Sequence, residues 1–394
     1  VARLTGAFIR GCQSNGMIAT AKHFPGHGDT DQDSHSLLPV IKADLDRLQK
    51  VELYPFQKAI EQGVEAIMTA HLYVPALEPE PGLPATLSPR ILTDLLRNKM
   101  GFKGLIVTDA LEMAGISRYY SQEEAALRAL KAGVDLLLLP LDPVKVINYL
   151  KEAVEQGELP VERVDESVRR LLAAKARLGL HHQSLVSIDR LPVVLGQPEF
   201  KKIAWQTFES ALTLVKNENN LLPVPPEKKI VILSLSSDPG DFYAGRRLAT
   251  ALTRRYPSAR TFYADGDTGR EKLEEALAAS LQAEVVIAAL FSSLQAGKGS
   301  VDLEPGQVEL LQKIKEAGRP VVALSFGSPY FIRHLPGVDS YLCLYRNTPE
   351  TQELAARAIC GEIGISGKLP VSIPGLYPRG QGIILERKIT QEEK

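Results

Sequence analysis

Along almost the whole 394-residue chain, apolar runs just long enough for a strand alternate with amphipathic stretches of helical length, the pattern of parallel βα units. In the first part the strands are expected at Met17 to Lys22, Glu65 to Ala70, Leu105 to Thr108 and Val134 to Leu139, with helices near 46–62, 89–99, 121–132 and 143–156. These strands read apolar nearly throughout instead of alternating, as strands do when both faces are covered. A further helix over Val161 to Leu178 leads into His181 to Pro198, which has no clear periodicity and reads as a linker. Beyond it, strands are expected at Ala211 to Val215, Ile230 to Leu235, Arg260 to Tyr263, Ala283 to Leu290, Pro320 to Phe326 and Tyr341 to Leu344, separated by helices, which makes a second, doubly wound sheet. The fold class is α/β. The expected division is 1–180, a linker over 181–205, and 206–394.

Composition narrows the function. Lys plus Arg number 46 against 47 Asp plus Glu, a net charge of −1, so no long-range field gathers nucleic acid or an anionic membrane. No run reaches the eighteen or so apolar residues of a spanning helix; Val134 to Leu141 is strand-sized and interrupted by Asp135. Cys12, Cys343 and Cys360 are scattered without a CxxC spacing, which gives no sign of a disulfide framework or structural zinc. No charged-then-apolar leader follows Val1, and the compartment stays open. Oligomeric state is likewise unassigned.

The densest chemical signal directly follows the first strand: Lys22-His23-Phe24-Pro25-Gly26-His27-Gly28-Asp29-Thr30, continuing to Asp33-Ser34-His35. Loops after the strands of a parallel α/β domain line its active face, and Gly26 and Gly28 suit a loop that folds over a ligand. Asp33 and His35 stand two apart, so on extended backbone their side chains point the same way and the carboxylate can orient and charge the imidazole. A dyad of this kind donates a proton near neutral pH; the bland alternative is an Asp that caps a turn beside a His that merely hydrogen-bonds it. Metal binding fits this cluster less well, because no HExxH pair is present and glycine-broken backbone is a poor template for ligands. The glycines make no phosphate loop either, GxxxxGK[ST] being absent.

The second signal is Gly104 to Met113, an apolar strand ending in Asp109. A carboxylate there faces the catalytic mouth, as nucleophile or ligand-orienting base, or else it caps the next helix. Glu112 is a weaker candidate. His71 ends the preceding strand in the same way, either as a substrate contact or as a satisfied structural histidine.

Taken together, KHFPGHGDTDQDSH, AIMTAH, LPATLSP and GLIVTDALEM, in this order and spacing, resemble the β-N-acetylglucosaminidases of glycoside hydrolase family 3, and Gly367 to Pro374 resembles the closing segment of that family's second domain. The resemblance implies a TIM-type (β/α)8 barrel followed by an αβα sandwich, with no cofactor and no metal. It implies Asp109 as the nucleophile, His35 as the acid and then base, Asp33 as its partner, and Lys22 and His23 as ligands of sugar hydroxyls. The expected partner is a small carbohydrate, from peptidoglycan fragments or chitooligosaccharides, in cell-wall recycling. Retaining glycosidases usually place two carboxyl groups around the bond; here an imidazole replaces one. A neutral His in the second step repels an incoming anion less than a carboxylate does, so phosphorolysis stays open beside hydrolysis. β-Glucosidase or β-xylosidase activity, a non-catalytic sugar-binding role and a metal-dependent hydrolase are the remaining alternatives. The family barrel has eight βα units, whereas four precede the linker here. The expectation is therefore the C-terminal half of a barrel, truncated at its N-terminal side, with exposed sheet edges and weak turnover.

Overall fold

The computed structural model describes residues 1–30, 37–241, 244–292 and 302–388. Two compact units divide between Ser187 and Ile188, inside the stretch expected to be a linker. In the N-terminal unit four parallel strands, β1 (Thr20–Phe24), β2 (Ala66–Thr69), β3 (Leu105–Ala110) and β4 (Leu136–Leu138), stand side by side in chain order. Helices Tyr54–Glu61, Arg90–Lys99 (with π-type bonding) and Gln122–Ala132 cover one face. There Phe24, Ile67 and Ile106 of the strands meet Phe56, Leu92, Leu96, Ala125 and Ala129 of the helices. Among the described residues β1 and β4 each keep one edge unpaired, and Leu136 and Leu139 beside the β4 edge are exposed.

Local chemistry sets the boundaries. Ser121 and Asp142 accept hydrogen bonds from the backbone N–H groups of Glu124 and Lys145 and so start the helices that follow them. Gly133, left-handed at φ 115°, ends Gln122–Ala132. At Gly104 a Cβ would lie 2.2 Å from the Glu65 carbonyl oxygen, so only glycine lets the backbone before β3 approach β2 this closely. The expected helix over 46–62 is two helices, Leu45–Lys50 and Tyr54–Glu61, because the turn between them carries Glu52 inward. A helix over Ala2–Gln13, not anticipated, precedes β1. Its sequence carries Gly6 and Gly11 and has no side-chain cap, and packing against Tyr54–Glu61 overrides that poor propensity.

One buried carboxylate ties the N-terminal ends of these elements together. Asp135, in the turn into β4, has a side chain with 0% exposure and accepts from Arg97 Nη2 at 2.5 Å, Arg170 Nη1 at 2.8 Å, Ser167 Oγ at 2.9 Å and the Ile106 N–H at 2.9 Å. Arg163 Nη2 lies 3.5 Å away. Arg97 also donates to the Gly104 carbonyl, and Arg163 to those of Leu130 and Val134. Burial brings the Arg97 pKa down to about 10 against the pull of Asp135.

The C-terminal unit is a six-stranded sheet of β5 (Thr213–Asn217), β6 (Ile230–Ser236), β7 (Arg260–Ala264), β8 (Val285–Phe291), β9 (Val321–Ser325) and β10 (Ser340–Cys343), in the order β5-β10-β9-β8-β6-β7. Alternate residues of the central strands serve opposite cores. Ile230, Ile232, Ile287 and Ala289 pack with the helices Arg246–Arg255 and Pro349–Cys360, while Val231, Leu233, Val286 and Ala288 pack with Arg270–Ser280 and Pro305–Glu316. That is why these strands read as continuous apolar runs. All pairings are parallel except β5 with β10, which is antiparallel, a reversal the apolar pattern does not encode. Beyond β5, Leu214 bridges to Ile383, whose N–H donates to the Leu214 carbonyl at 2.7 Å. The helix Pro198–Ala211 belongs to this unit, so the expected linker through residue 205 is helical at its end.

Replacing Asp135 by Ala leaves three guanidinium groups without their buried anion, and urea unfolding should register a loss of about 3–5 kcal/mol. A loss below about 1 kcal/mol would mean the arginines are held by their carbonyl partners instead.

Candidate active site

The carboxyl ends of β1, β2 and β3 bring together most of the described residues singled out in the sequence. Asp109 is the penultimate residue of β3, its side chain 18% exposed. Its Oδ1 accepts from the Ala110 N–H at 2.9 Å, and its Oδ2 lies 3.6 Å from His23 Nε2. His23, at the end of β1, is 28% exposed in its side chain. Burial is the largest influence on it and lowers its pKa, with Asp109 pulling up and Lys22, His27 and His71 pushing down. A neutral imidazole therefore flanks the Asp109 carboxyl group near pH 7. Lys22 is exposed beside it, and the His23 and His27 rings stand edge-on at 6.0 Å.

His71, just past the end of β2, is buried. The residue is 1% exposed, with Nε2 3.0 Å from the Ala110 carbonyl and Nδ1 2.9 Å from Thr86 Oγ1. A carbonyl only accepts, so Nε2 carries the hydrogen and donates. Burial lowers the ring's pKa, which keeps the neutral form with Nδ1 as acceptor. His71 is thus tied through both ring nitrogens to Thr86 and to the carbonyl of the peptide after Asp109, contacts that accord with the structural alternative read from the sequence. Glu112 is exposed on the loop after β3. Asp33 and His35 lie outside the described residues.

The sequence reading passed over the support of the glycine loop. Gly26 has φ +138°, and a Cβ on it would come within 2.7 Å of Glu52 Cβ, so the loop lies directly on Glu52. That side chain is 6% exposed; Oε1 takes Arg47 Nη2 at 3.2 Å, while Oε2 is buried without a hydrogen bond. Arg47 reaches on to Asp29 at 3.0 Å. Phe24, fully buried, meets Phe56 edge-on at 5.2 Å and anchors the loop's root. In the sequence Glu52 looks like an ordinary acid on a helix surface. The signal against that reading was the apolar company of Val51, Leu53 and Phe56.

Residues 1–174 match the model of the glycosyl hydrolase family 3 N-terminal domain, and residues 212–382 match that of the family 3 C-terminal domain. A solved family 3 β-N-acetylglucosaminidase from Paenibacillus sp. str. FPU-7 superposes with a TM-score of 0.80 at 31% identity, over 93% of this chain and 69% of that one. The chain belongs to glycoside hydrolase family 3. Among its relatives, the β-N-acetylglucosaminidase/β-glucosidase of Cellulomonas fimi is 27% identical over 94% of this chain and 69% of its own length. β-Hexosaminidase A of Pseudoalteromonas piscicida is 31% identical over 81% of this chain. The chain spans 54% of that last protein's length.

The lowered pKa of His71 carries a stability signature. The unfolded ring titrates near the ordinary 6.5 and the folded ring below it, so protons favour the unfolded chain. Stability is complete above about pH 6.5 and is lost as pH falls from there toward the folded pKa. Between about pH 7.5 and 5.5 the melting temperature should therefore fall further in the wild type than in His71→Gln, which keeps a donor for the Ala110 carbonyl without titrating. Equal falls would remove His71 from this role.

Proposed function

We propose that this protein is a retaining exo-β-N-acetylglucosaminidase that releases terminal N-acetylglucosamine from peptidoglycan fragments or chitooligosaccharides. The observation that carries the reading is the Asp109 carboxyl group, presented at the carboxyl end of a buried parallel strand. One of its oxygens is held by the Ala110 N–H and the other lies beside a neutral His23. A nucleophilic carboxylate needs such fixed orientation, and both neighbours supply it without adding negative charge. In the first step Asp109 attacks the anomeric carbon while the bond to the leaving oxygen breaks, and His35, oriented by Asp33, gives that oxygen its proton. In the second, a water oxygen attacks the same carbon, Asp109 leaves, and His35 takes the water proton. Lys22 and His23 bind sugar hydroxyls from the mouth of β1. The N-acetylated sugar is supported by the names of the relatives. The β-glucosidase half of the Cellulomonas protein's name favours glucosides as the second reading. We read the N-terminal unit as four consecutive units of a (β/α)8 barrel. This rests on the sequential parallel order of the strands, their unpaired edges among the described residues and the exposed Leu136 and Leu139.

The purified protein should release chromophore from an aryl β-N-acetylglucosaminide faster than from the matching glucoside, and early proton NMR should find the β anomer of the freed sugar. Asp109→Ala should lower kcat/KM by roughly three orders of magnitude or more. Equal rates in wild type and Asp109→Ala, or first release of the α anomer, would refute the mechanism. Appearance of a sugar 1-phosphate on adding phosphate would make the acceptor phosphate instead of water.

A further inference from the structure

The chain leaving β1 and the chain returning toward β2 are cross-linked by side chains that the reaction above does not use. On the outgoing limb the Gly26 N–H donates to the His23 carbonyl at 2.9 Å, so the place of Gly26 fixes the turn that presents His23 to Asp109. On the returning limb the Ile41 N–H donates to the Tyr73 carbonyl at 2.9 Å, and the Tyr73 N–H to the Pro39 carbonyl at 2.8 Å. Asp44 then caps the helix Leu45–Lys50, which carries Arg47. The Leu53 N–H, bonded to the Leu48 carbonyl at 2.7 Å, closes the turn that carries Glu52. Arg47 joins the two limbs, its Nη2 lying 3.0 Å from Asp29 and 3.2 Å from Glu52.

We propose that Glu52, held by Arg47, is a positioning residue that sets His23 beside Asp109 by fixing where Gly26 lies. A Cβ on Gly26 would stand 2.7 Å from Glu52 Cβ and 3.0 Å from its Cγ, so any other setting of the Glu52 side chain displaces Gly26 and the turn with it. The Arg47 hydrogen bond to Oε1 holds that setting. Arg47 and Asp29, each about half exposed in the side chain, form a pair that adds little to stability but gives the outgoing limb a second point of attachment three residues beyond Gly26. Stability alone does not explain an acid at position 52. Leu53 and Phe56 nearby are buried, and among the described residues Glu52 Oε2 has no hydrogen-bond partner, which disfavours the folded state. An aliphatic side chain of similar volume would fill the space without that penalty, and such local violations gather at functional sites.

The kinetic consequence rests on the glycosidase reading; the structural one does not. Misplacing a group by about 1 Å can cost roughly a hundredfold in rate, so Glu52→Met in the full chain should lower kcat/KM on the aryl β-N-acetylglucosaminide roughly ten- to a hundredfold while its melting temperature holds or rises. Arg47→Ala, at a half-exposed position, should show the same loss and Arg47→Lys a smaller one, which keeps the test valid if the Met variant unfolds. The second readout is the NMR titration of the His23 ring, its signal assigned with His23→Gln. In the wild type burial is the main cause of the lowered pKa; Lys22, His27 and His71 push the same way and Asp109 opposes them. Once the turn loosens and water enters, that pKa should rise toward the ordinary 6.5 in Glu52→Met and Arg47→Ala. Wild-type kcat/KM together with a wild-type His23 titration in both variants would overturn the proposal. Equal turnover by wild type and Asp109→Ala would instead end the glycosidase reading, and the His23 titration would then decide the role of Glu52 by itself.

Discussion

Asp135 is the constraint on which the N-terminal unit depends. A single carboxylate with no solvent exposure gathers guanidinium groups from Arg97, Arg163 and Arg170, a hydroxyl from Ser167 and the first N–H of β3's core. The three arginines sit on two helices, and each also grips carbonyl groups or a neighbouring acid. Charge of both signs is thereby removed from water only where every lone pair has a donor, the condition under which a buried ion pair is tolerated. The network lies at the amino ends of β3 and β4. The opposite ends of the strands are left free to carry reactive groups, a separation common to parallel βα architectures.

At those opposite ends the same economy of charge recurs in reverse. His23 and His71 both lie close to Asp109, and burial lowers the pKa of each. Neither cancels the carboxylate's charge, yet both help to fix its surroundings, His71 through the Ala110 carbonyl and His23 across 3.6 Å of open cleft. The loop bearing His23 is steadied from below by Glu52 and Arg47, so orientation comes from packing and reactivity from the groups packed.

Much of this was legible beforehand, for reasons visible in particular residues. Strands such as Ile230–Ser236 announce themselves because each successive side chain enters one core or the other, and Asp109 stands out as the acid that ends such a run. His71 ends a run in the same way, but its role is decided by Thr86, fifteen positions later, which no local pattern connects to it. The turn that splits the helix at 46–62 was hidden because Glu52 is turned inward by a contact with Gly26. The direction of β5 was equally hidden, since an apolar alternation reads alike in both senses.

That reversed strand has a practical corollary. Sheet margins normally offer a row of idle amide and carbonyl groups to any passing chain. Here one margin is β5, which the segment around Ile383 crosses with a bridge to Leu214; the other is β7, where Arg246 lies over Tyr263 and Arg260 over Phe262. One rim carries a bridging segment and the other carries cations, two devices that make an edge a poorer template for a passing chain.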